Sequence, residues 1–256
     1  MTPELPRAFL DVPIAHRALH DITQGRPENS RAAIRAAIKA GYGIEIDLQL
    51  TADGRAMVFH DYDMTRLTGQ PGPIRRLTAA EAEAVPLLHS DSEGIPTLAE
   101  VLEMVAGQVP LLVEIKDQDG GMGTDVGALE EAAAAMLLAY KGPLAVMSFN
   151  PNSMAAMARL MPDVPRGIVT SAYERSNWPL SQAVRDHLRD IPDFDRVQAS
   201  FISHEWYDLN RPRVQELKAR GVPILCWTIR SPEQEAEARK VADNVTFEGY
   251  LAAHSA

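Results

Sequence analysis

Two carboxylates spaced two residues apart, Glu45 and Asp47, are the first side chains in this sequence that suggest chemistry. They alternate with apolar residues in the segment 43–50, which is the pattern of a β-strand. A strand would place both carboxylates on one face, about 6.5 to 7 Å apart along its axis. Two such charges repel each other and are costly to bury without a cation. The pair therefore indicates either a solvated acidic face or a cation site.

A histidine is brought back to the same place by the next turn of the chain. Only twelve residues separate Asp47 from His60, which is too few for a crossover helix with its two loops. The dipeptide Asp53-Gly54 is typical of a tight turn, and the segment 56–59 reads as a second strand. The spacing thus predicts a hairpin-like return that places His60 level with Asp47 at one end of a sheet.

Polar and ionisable residues follow other predicted strands in the same way. The full set is His16, Arg17, Glu45, Asp47, His60, Glu114, Lys116 and Asn150. Each has an ordinary explanation when taken alone, since a single histidine is usually a loop residue and Glu114 with Lys116 could be an ion pair on a strand face. In a closed barrel, however, these strand ends converge on one mouth, where active sites are built. Their coincidence favours a site over a solvated surface.

The elements that would carry these residues alternate between strand and helix. This alternation predicts an α/β fold with a parallel sheet, a TIM (β/α)8 barrel made slightly irregular by the β2–β3 hairpin-like return. Nine strands are predicted for eight barrel positions, so one strand is additional. The seventh of the nine is predicted at Val197–Ile202, and Asn244–Phe247 is the last. No linker or repeat is visible, so residues 1–256 are expected to form a single domain.

Composition excludes several classes of function. The net charge of −10 argues against a nucleic-acid or anionic-membrane surface, while still permitting a phosphate substrate if a divalent cation is bound. No apolar run is long enough for a membrane span, and Met1–Leu10 does not resemble a secretory signal. The one cysteine, Cys226, reads as a small buried residue. We therefore expect a cytoplasmic location; nothing in the sequence specifies an oligomeric state.

The residue types at the predicted barrel mouth indicate a phosphate reaction. Three carboxylates without a cysteine or histidine cluster suit a hard cation, Mg²⁺ or Ca²⁺. Arg17 and Lys116 beside that cation suit a phosphate group. His16 and His60 could serve as a general base and a general acid, although the sequence does not assign which of them is the base. Together they point to phosphoryl transfer or phosphodiester cleavage.

These same residues carry a resemblance to the glycerophosphodiester phosphodiesterase family, within the phospholipase-C-like phosphodiesterases. The matching motifs are His16-Arg17-Ala18, Pro27-Glu28-Asn29-Ser30, Glu45-Ile46-Asp47, Thr51-Ala52-Asp53-Gly54, His60-Asp61, Glu114-Ile115-Lys116, Ser148-Phe149 and Trp227-Thr228. The match runs from residue 13 to about residue 230 and is weak from 165 to 220.

The resemblance implies a role for each matching position. It implies that Glu45, Asp47 and Glu114 bind one divalent cation, with His16 and His60 as the acid–base pair. It also implies that Arg17 and Lys116 hold the phosphate, that Phe149 and Trp227 are apolar walls near the glycerol, and that residues 61–108 form the family's insertion after strand 3. The implied reaction is metal-dependent hydrolysis of a small-molecule phosphodiester to glycerol 3-phosphate and an alcohol, through a cyclic phosphate.

Three positions depart from the family pattern. Ala18 replaces a glycine, so the backbone after Arg17 is expected to be less free to adopt a positive φ angle. Ser30 replaces threonine, a mild change for a helix cap. Glu248 falls where the family has Thr-Asp, and this change is expected to involve neither a metal ligand nor an acid–base residue.

Two other classes of function remain open from the sequence, a hydrolase with a different substrate and a protein that only binds. The same site could act on a lysophospholipid, as a lysophospholipase D-type enzyme, or on a sugar phosphodiester. A protein that binds phosphate or a polyol without cleaving it is less favoured, since binding alone does not require a matched acid–base pair.

Overall fold

The computed structural model describes residues 2–254. The strands of this part of the chain are β1 Ile14–Ala15, β2 Gly43–Leu50, β3 Ala56–Val58, β4 Leu111–Ile115, β5 Leu144–Ser148, β6 Arg166–Thr170, β7 Phe201–Glu205, β8 Ile224–Ile229 and β9 Asn244–Phe247. Its helices are α1 Ala8–Asp11, α2 Arg31–Ala40, α3 Thr65–Thr68, α4 Ala79–Glu83, α5 Leu98–Val105, α6 Ala128–Leu137, α7 Pro151–Leu160, α8 Gln182–Arg189, α9 Pro212–Ala219 and α10 Pro232–Ala238. Within the same residues, every helix falls short of the length and apolarity that a bilayer span requires.

Eight of these strands form a closed parallel barrel. Neighbouring strands pair in the order β1, β9, β8, β7, β6, β5, β4, β2, and β1 also pairs with β2, which closes the ring. Helices α2 and α5–α10 connect consecutive barrel strands, as a right-handed β/α barrel requires. The predicted TIM barrel is therefore confirmed.

The ninth strand, β3, lies outside the barrel wall and is the additional strand expected from the sequence. It pairs antiparallel with the end of β2, where Leu48 lies opposite Val58. The amide of Phe59 then donates to the carbonyl oxygen of Asp47 at 2.9 Å. Because β1 contains only two residues, it leaves this upper part of the β2 edge free for β3. The predicted hairpin-like return is confirmed, and it brings His60 level with Asp47.

Apolar side chains fill the barrel interior below its carboxyl end. Phe9 of α1 closes the bottom and belongs to the same buried cluster as Leu112, Met147 and Phe201. A larger apolar cluster packs between the outer faces of the strands and the surrounding helices. Since both faces of each strand are covered, the polar residues at the strand ends sit on a rigid base.

The segment between β3 and α5 has a small core of its own. Met57 and Phe59 pack there against residues of α3, α4 and their loops, including Leu67 and Ile74. Thr78 caps α4 in a capping box with Glu81. The segment is thereby fixed beside the mouth of the barrel.

One strand boundary was predicted wrongly, and one restricted backbone position adopts a positive φ despite its side chain. The seventh strand begins at Phe201 instead of Val197, because residues 193–199 form turns in which Gln198 has a φ of 52°. The backbone at Ala18 does adopt a positive φ, 64°, and Arg17 before it has a φ of 52°. The amide of Ala18 donates to the carbonyl oxygen of Glu45 at 3.0 Å, and such anchoring holds the alanine in this conformation.

Candidate active site

Three carboxylates converge at the mouth of the barrel. Glu45 and Asp47 lie on β2, and the register of β2 with β4 sets Asp47 directly beside Glu114. One oxygen of each carboxylate lies within 4.8 Å of the others, and all three side chains are buried. The strand alternation read from the sequence is thus the geometric origin of the cluster.

The three carboxylates have too few positive groups beside them to balance their negative charge. Burial, together with the neighbouring Asp47 and Glu114, raises the pKa of Glu45 well above its ordinary value. Burial acts in the same direction on Asp47, but the adjacent cationic groups, Lys116 first among them, outweigh it and lower the pKa of Asp47. The ammonium of Lys116 lies 2.9 Å from Asp47 and 2.8 Å from Glu114. One ammonium therefore serves two carboxylates, while Glu45 has no cationic partner this close among residues 2–254.

The three side chains fit a divalent cation. Their donors are all carboxylate oxygens, which hard cations such as Mg²⁺ and Ca²⁺ prefer, and they are close enough to share one ion. Asn29 donates to Asp47 at 2.9 Å and the amide of Arg17 donates to Glu45 at 2.8 Å, so both carboxylates are oriented by further hydrogen bonds.

The first histidine, His16, follows β1 and is paired with a carboxylate from the far end of the chain. Its Nδ1 lies 2.6 Å from Glu248, the residue that follows β9. Because a carboxylate only accepts hydrogen bonds, Nδ1 carries the proton and Nε2 is left as an acceptor. Burial lowers the pKa of His16 to about 4, against the opposing influence of Glu248. His16 is therefore a neutral imidazole near pH 7, the form a general base requires.

Glu248 is itself held in place by further groups. Arg230 donates to it at 2.8 Å, and Nε2 of His20 lies 3.5 Å away. Burial acts to raise the pKa of Glu248, but the hydrogen bonds from the histidines and the charge of Arg230 lower it overall. Glu248 thus remains a carboxylate beside His16.

The second histidine, His60, follows β3 and has a carboxylate partner next to it in the sequence. Its Nδ1 lies 2.7 Å from Asp61, which also accepts from Arg66 at 2.7 Å. Arg66 in turn donates to Glu28 at 2.7 Å, and Glu28 accepts from Arg17 at the same distance. This chain of ion pairs ties the segment after β3 to the loop after β1.

A cavity of about 160 Å³ lies at the centre of these groups. Eight of the nine site residues predicted from the sequence line it: His16, Arg17, Glu45, His60, Glu114, Lys116, Phe149 and Trp227. The ninth, Asp47, is buried beneath it, with Nε of Arg17 3.6 Å from its carboxylate. Phe149 and Trp227 meet edge to face, with ring centroids 5.5 Å apart, and form one wall. The structure therefore brings the whole predicted set together.

Sequence reasoning missed the two carboxylates that hold the histidines. Asp61 belongs to the His60-Asp61 motif, but the sequence indicated no role for it. Glu248 was expected to involve no acid–base residue, and that expectation was wrong, since it contacts His16 directly. The signal was present, because Glu248 immediately follows a barrel strand, as the other polar site residues do.

The chain is similar to known proteins over most of its length. The model of the Glycerophosphoryl diester phosphodiesterase family matches residues 16–245. The chain belongs to this family. Glycerophosphodiester phosphodiesterase 1 of Homo sapiens is 32% identical over 259 residues, covering 87% of this chain and 73% of that protein. The glycerophosphodiester phosphodiesterase of Caldanaerobacter subterraneus subsp. tengcongensis is 26% identical and covers 91% of each chain.

Solved structures of the family share the fold. A phosphodiesterase from Oleispira antarctica, in complex with its product sn-glycerol-3-phosphate, superposes with a TM-score of 0.73 at 25% identity over 94% of each chain. A glycerophosphodiester phosphodiesterase from Parabacteroides distasonis gives a TM-score of 0.72 at 24% identity, and it supports the fold alone.

Proposed function

We propose that this phosphodiesterase hydrolyses glycerophosphodiesters to glycerol 3-phosphate and an alcohol, with one divalent cation bound by Glu45, Asp47 and Glu114. The observation that carries the proposal is the placement of two carboxylate-held histidines and a cluster of three carboxylates around one small cavity. The product bound by the Oleispira relative, sn-glycerol-3-phosphate, agrees with this reaction. When bound, the cation supplies positive charge that offsets the negative charge developing on the phosphoryl oxygens.

The first step is attack by the substrate's own glycerol 2-hydroxyl. Nε2 of His16 takes the proton from this hydroxyl, and the hydroxyl oxygen forms a bond to phosphorus. The bond from phosphorus to the alcohol oxygen breaks, and His60 donates a proton to the departing oxygen. The products of this step are a five-membered cyclic phosphate and the free alcohol.

The second step opens the ring with water. His60, now without its proton, takes a proton from water, whose oxygen bonds to phosphorus. The bond between phosphorus and the 2-oxygen breaks, and His16 returns its proton to that oxygen. Glycerol 3-phosphate is released and both histidines regain their starting states. In both steps Arg17 and Lys116 hold the phosphate oxygens. The guanidinium offers N–H donors in a fixed plane and the ammonium offers a concentrated charge, and both suit a phosphate group.

Lys116 has a further N–H donor for this role, since an ammonium group carries three. Its ammonium contacts two of the three proposed metal ligands, Asp47 and Glu114. A divalent cation on those carboxylates would repel the ammonium and release it toward the phosphate. Binding of the metal and binding of the phosphate would then be coupled through this one side chain.

The test measures glycerol 3-phosphate formed from glycerophosphocholine and glycerophosphoethanolamine after EDTA treatment and after readdition of Mg²⁺ or Ca²⁺. We expect EDTA and the Glu45→Gln variant each to lower kcat/KM by about 10³-fold or more, since charge stabilisation by the ion is lost. The matched control is Glu131→Gln, at an exposed position on α6. Full activity of Glu45→Gln would overturn the metal assignment, and tight binding without product in phosphorus NMR would favour a binding protein.

The cyclic route has its own substrate control. A phosphodiester of propane-1,3-diol lacks the 2-hydroxyl and cannot close the five-membered ring. We expect the enzyme to leave this compound intact, and its hydrolysis at a comparable rate would show direct attack by water instead.

A further inference from the structure

A second cavity of about 730 Å³ opens beside the catalytic one. We call it the outer chamber. It shares His60, Glu114, Lys116, Phe149 and Trp227 with the catalytic cavity but is not lined by His16. The outer chamber therefore lies on the side of His60, the residue that faces the departing alcohol in the proposed reaction.

Aromatic rings form much of its wall. The ring centroid of Phe149 lies 4.8 Å from that of Trp178 and 5.5 Å from that of Trp227. The fully buried Tyr173 supports Trp178 from behind at 4.9 Å. Tyr62 stands at the rim with 48% of its surface exposed. Packed rings of this kind offer fixed apolar faces, which attract a poorly hydrated cation.

The charges that line the chamber also favour a cation. Its lysine and arginine are already engaged, because Lys116 binds Asp47 and Glu114, and Arg66 binds Glu28 and Asp61. Asp117, by contrast, accepts from the neutral Asn150 at 2.7 Å and from the amide of Met122 at 3.1 Å, and its charged neighbour Asp119 is also negative. Within residues 2–254 Asp117 makes no ion pair, although its side chain is largely buried. The chamber thus combines aromatic faces with a carboxylate that lacks a cation.

We propose that the outer chamber binds the alcohol part of the substrate and selects an alcohol that carries a quaternary ammonium group, as choline does. The inference rests on the proposed function and specifies its substrate. A quaternary ammonium has no N–H to donate, so aromatic faces and a nearby carboxylate can replace its weak hydration. A primary ammonium would give up strong hydration for fewer hydrogen bonds, and an acyl chain would leave Asp117 without a cation.

The experiment compares three esters of glycerol 3-phosphate that release the same phosphate product. Their alcohols are choline, ethanolamine and 3,3-dimethylbutanol, the uncharged carbon analogue of choline. We expect kcat/KM for the choline ester to exceed each of the other two by about fivefold or more, the size of a desolvated cation–π contact. Choline should likewise inhibit more strongly than 3,3-dimethylbutanol, which measures binding without turnover.

Two variants assign the selection to the chamber. Trp178→Leu removes an aromatic face and Asp117→Asn removes the carboxylate charge. Each should bring the ratio of choline ester to dimethylbutyl ester at least about threefold closer to one. Tyr207→Leu is the matched control, since Tyr207 is an exposed aromatic residue outside the chamber and should leave the ratio unchanged.

The outcomes separate this inference from the proposed function. Equal kcat/KM for the choline and dimethylbutyl esters would overturn cation selection while leaving the reaction intact. A higher kcat/KM for lysophosphatidylcholine than for glycerophosphocholine that disappears in Trp178→Leu would assign the chamber to the acyl chain on the glycerol, and would overturn the inference. The absence of glycerol 3-phosphate from all three esters would instead overturn the proposed function.

Discussion

The two histidines of this site share a hydrogen-bonding pattern but occupy different surroundings. In each, Nδ1 meets a carboxylate, Glu248 at 2.6 Å from His16 and Asp61 at 2.7 Å from His60. An arginine then binds each carboxylate. The side chain of His16, however, is 14% exposed and follows a barrel strand, whereas that of His60 is 28% exposed and follows the hairpin strand outside the wall.

This difference supports the chemical roles that we propose for the two histidines. The more buried His16 is kept neutral, which suits the group that first accepts a proton. His60 borders the outer chamber, through which an alcohol can leave once it is protonated. Similar hydrogen bonds can therefore support opposite roles, because burial and the direction of exit differ.

The largest expected effect is the loss of activity in the two histidine variants, and its size should depend on the acidity of the leaving group. We expect His16→Ala and His60→Ala each to lower the rate on an alkyl ester by about 10² to 10⁴. With the p-nitrophenyl ester, whose leaving group needs no proton, His60→Ala should release the first equivalent of p-nitrophenol nearly as fast as the wild type. His16→Ala should remain slow. Stopped-flow absorbance measures this step, and the reverse pattern would exchange the two roles.

The carboxylate partners should show a smaller version of the same contrast. Glu248→Gln keeps an acceptor for His16 but removes the charge, so we expect kcat to fall about 10- to 100-fold on alkyl and p-nitrophenyl esters alike. Asp61→Asn should matter mainly for the alkyl ester. Exposed Glu233 of α10 provides the control variant Glu233→Gln. If Glu248→Gln were fully active, Glu248 would have only a structural role.

A third test uses pH. Because the base must be unprotonated, the acidic limb of kcat/KM should have its midpoint near pH 4, the value to which burial lowers the pKa of His16, instead of near 6.5. Glu248 favours the imidazolium and so raises the pKa of His16. Its replacement by glutamine should therefore move the midpoint to lower pH. A midpoint near 6.5 in the wild type would contradict the role of His16.

The smallest effect is expected in the turn after His16. Ala18→Gly relieves a left-handed backbone conformation, worth about 1 kcal/mol, but removes a buried methyl group and adds freedom to the unfolded chain. These contributions oppose each other, so the free energy of unfolding should change by less than about 1 kcal/mol. Urea denaturation measures this change. A larger loss of stability would mean that packing of the methyl group stabilises the fold by more than the strained backbone destabilises it.

The sequence alone could predict the parts of the site that depend on local pattern. Alternation placed Glu45 and Asp47 on one face, and the turn at Asp53-Gly54 predicted the position of His60. The pairing of Glu248 with His16 could not be read in this way, because it depends on the register with which β9 meets β1. The seventh strand was misplaced because the apolar residues near Val197 pack as turns beneath the barrel helices.

Barrel closure has a consequence for how the enzyme folds. His60 and Asp61 are adjacent in the chain, whereas His16 and Glu248 are 232 positions apart. The second contact closes nearly the largest loop that the chain allows, so it cannot form before both ends of the chain have been made and brought together. A nascent chain still lacking the residue after β9 already contains both His60 and Asp61, but it does not yet contain the partner of His16. Recovery of catalytic activity during refolding therefore reports the joining of the two ends of the chain, whereas collapse and helix formation can precede it.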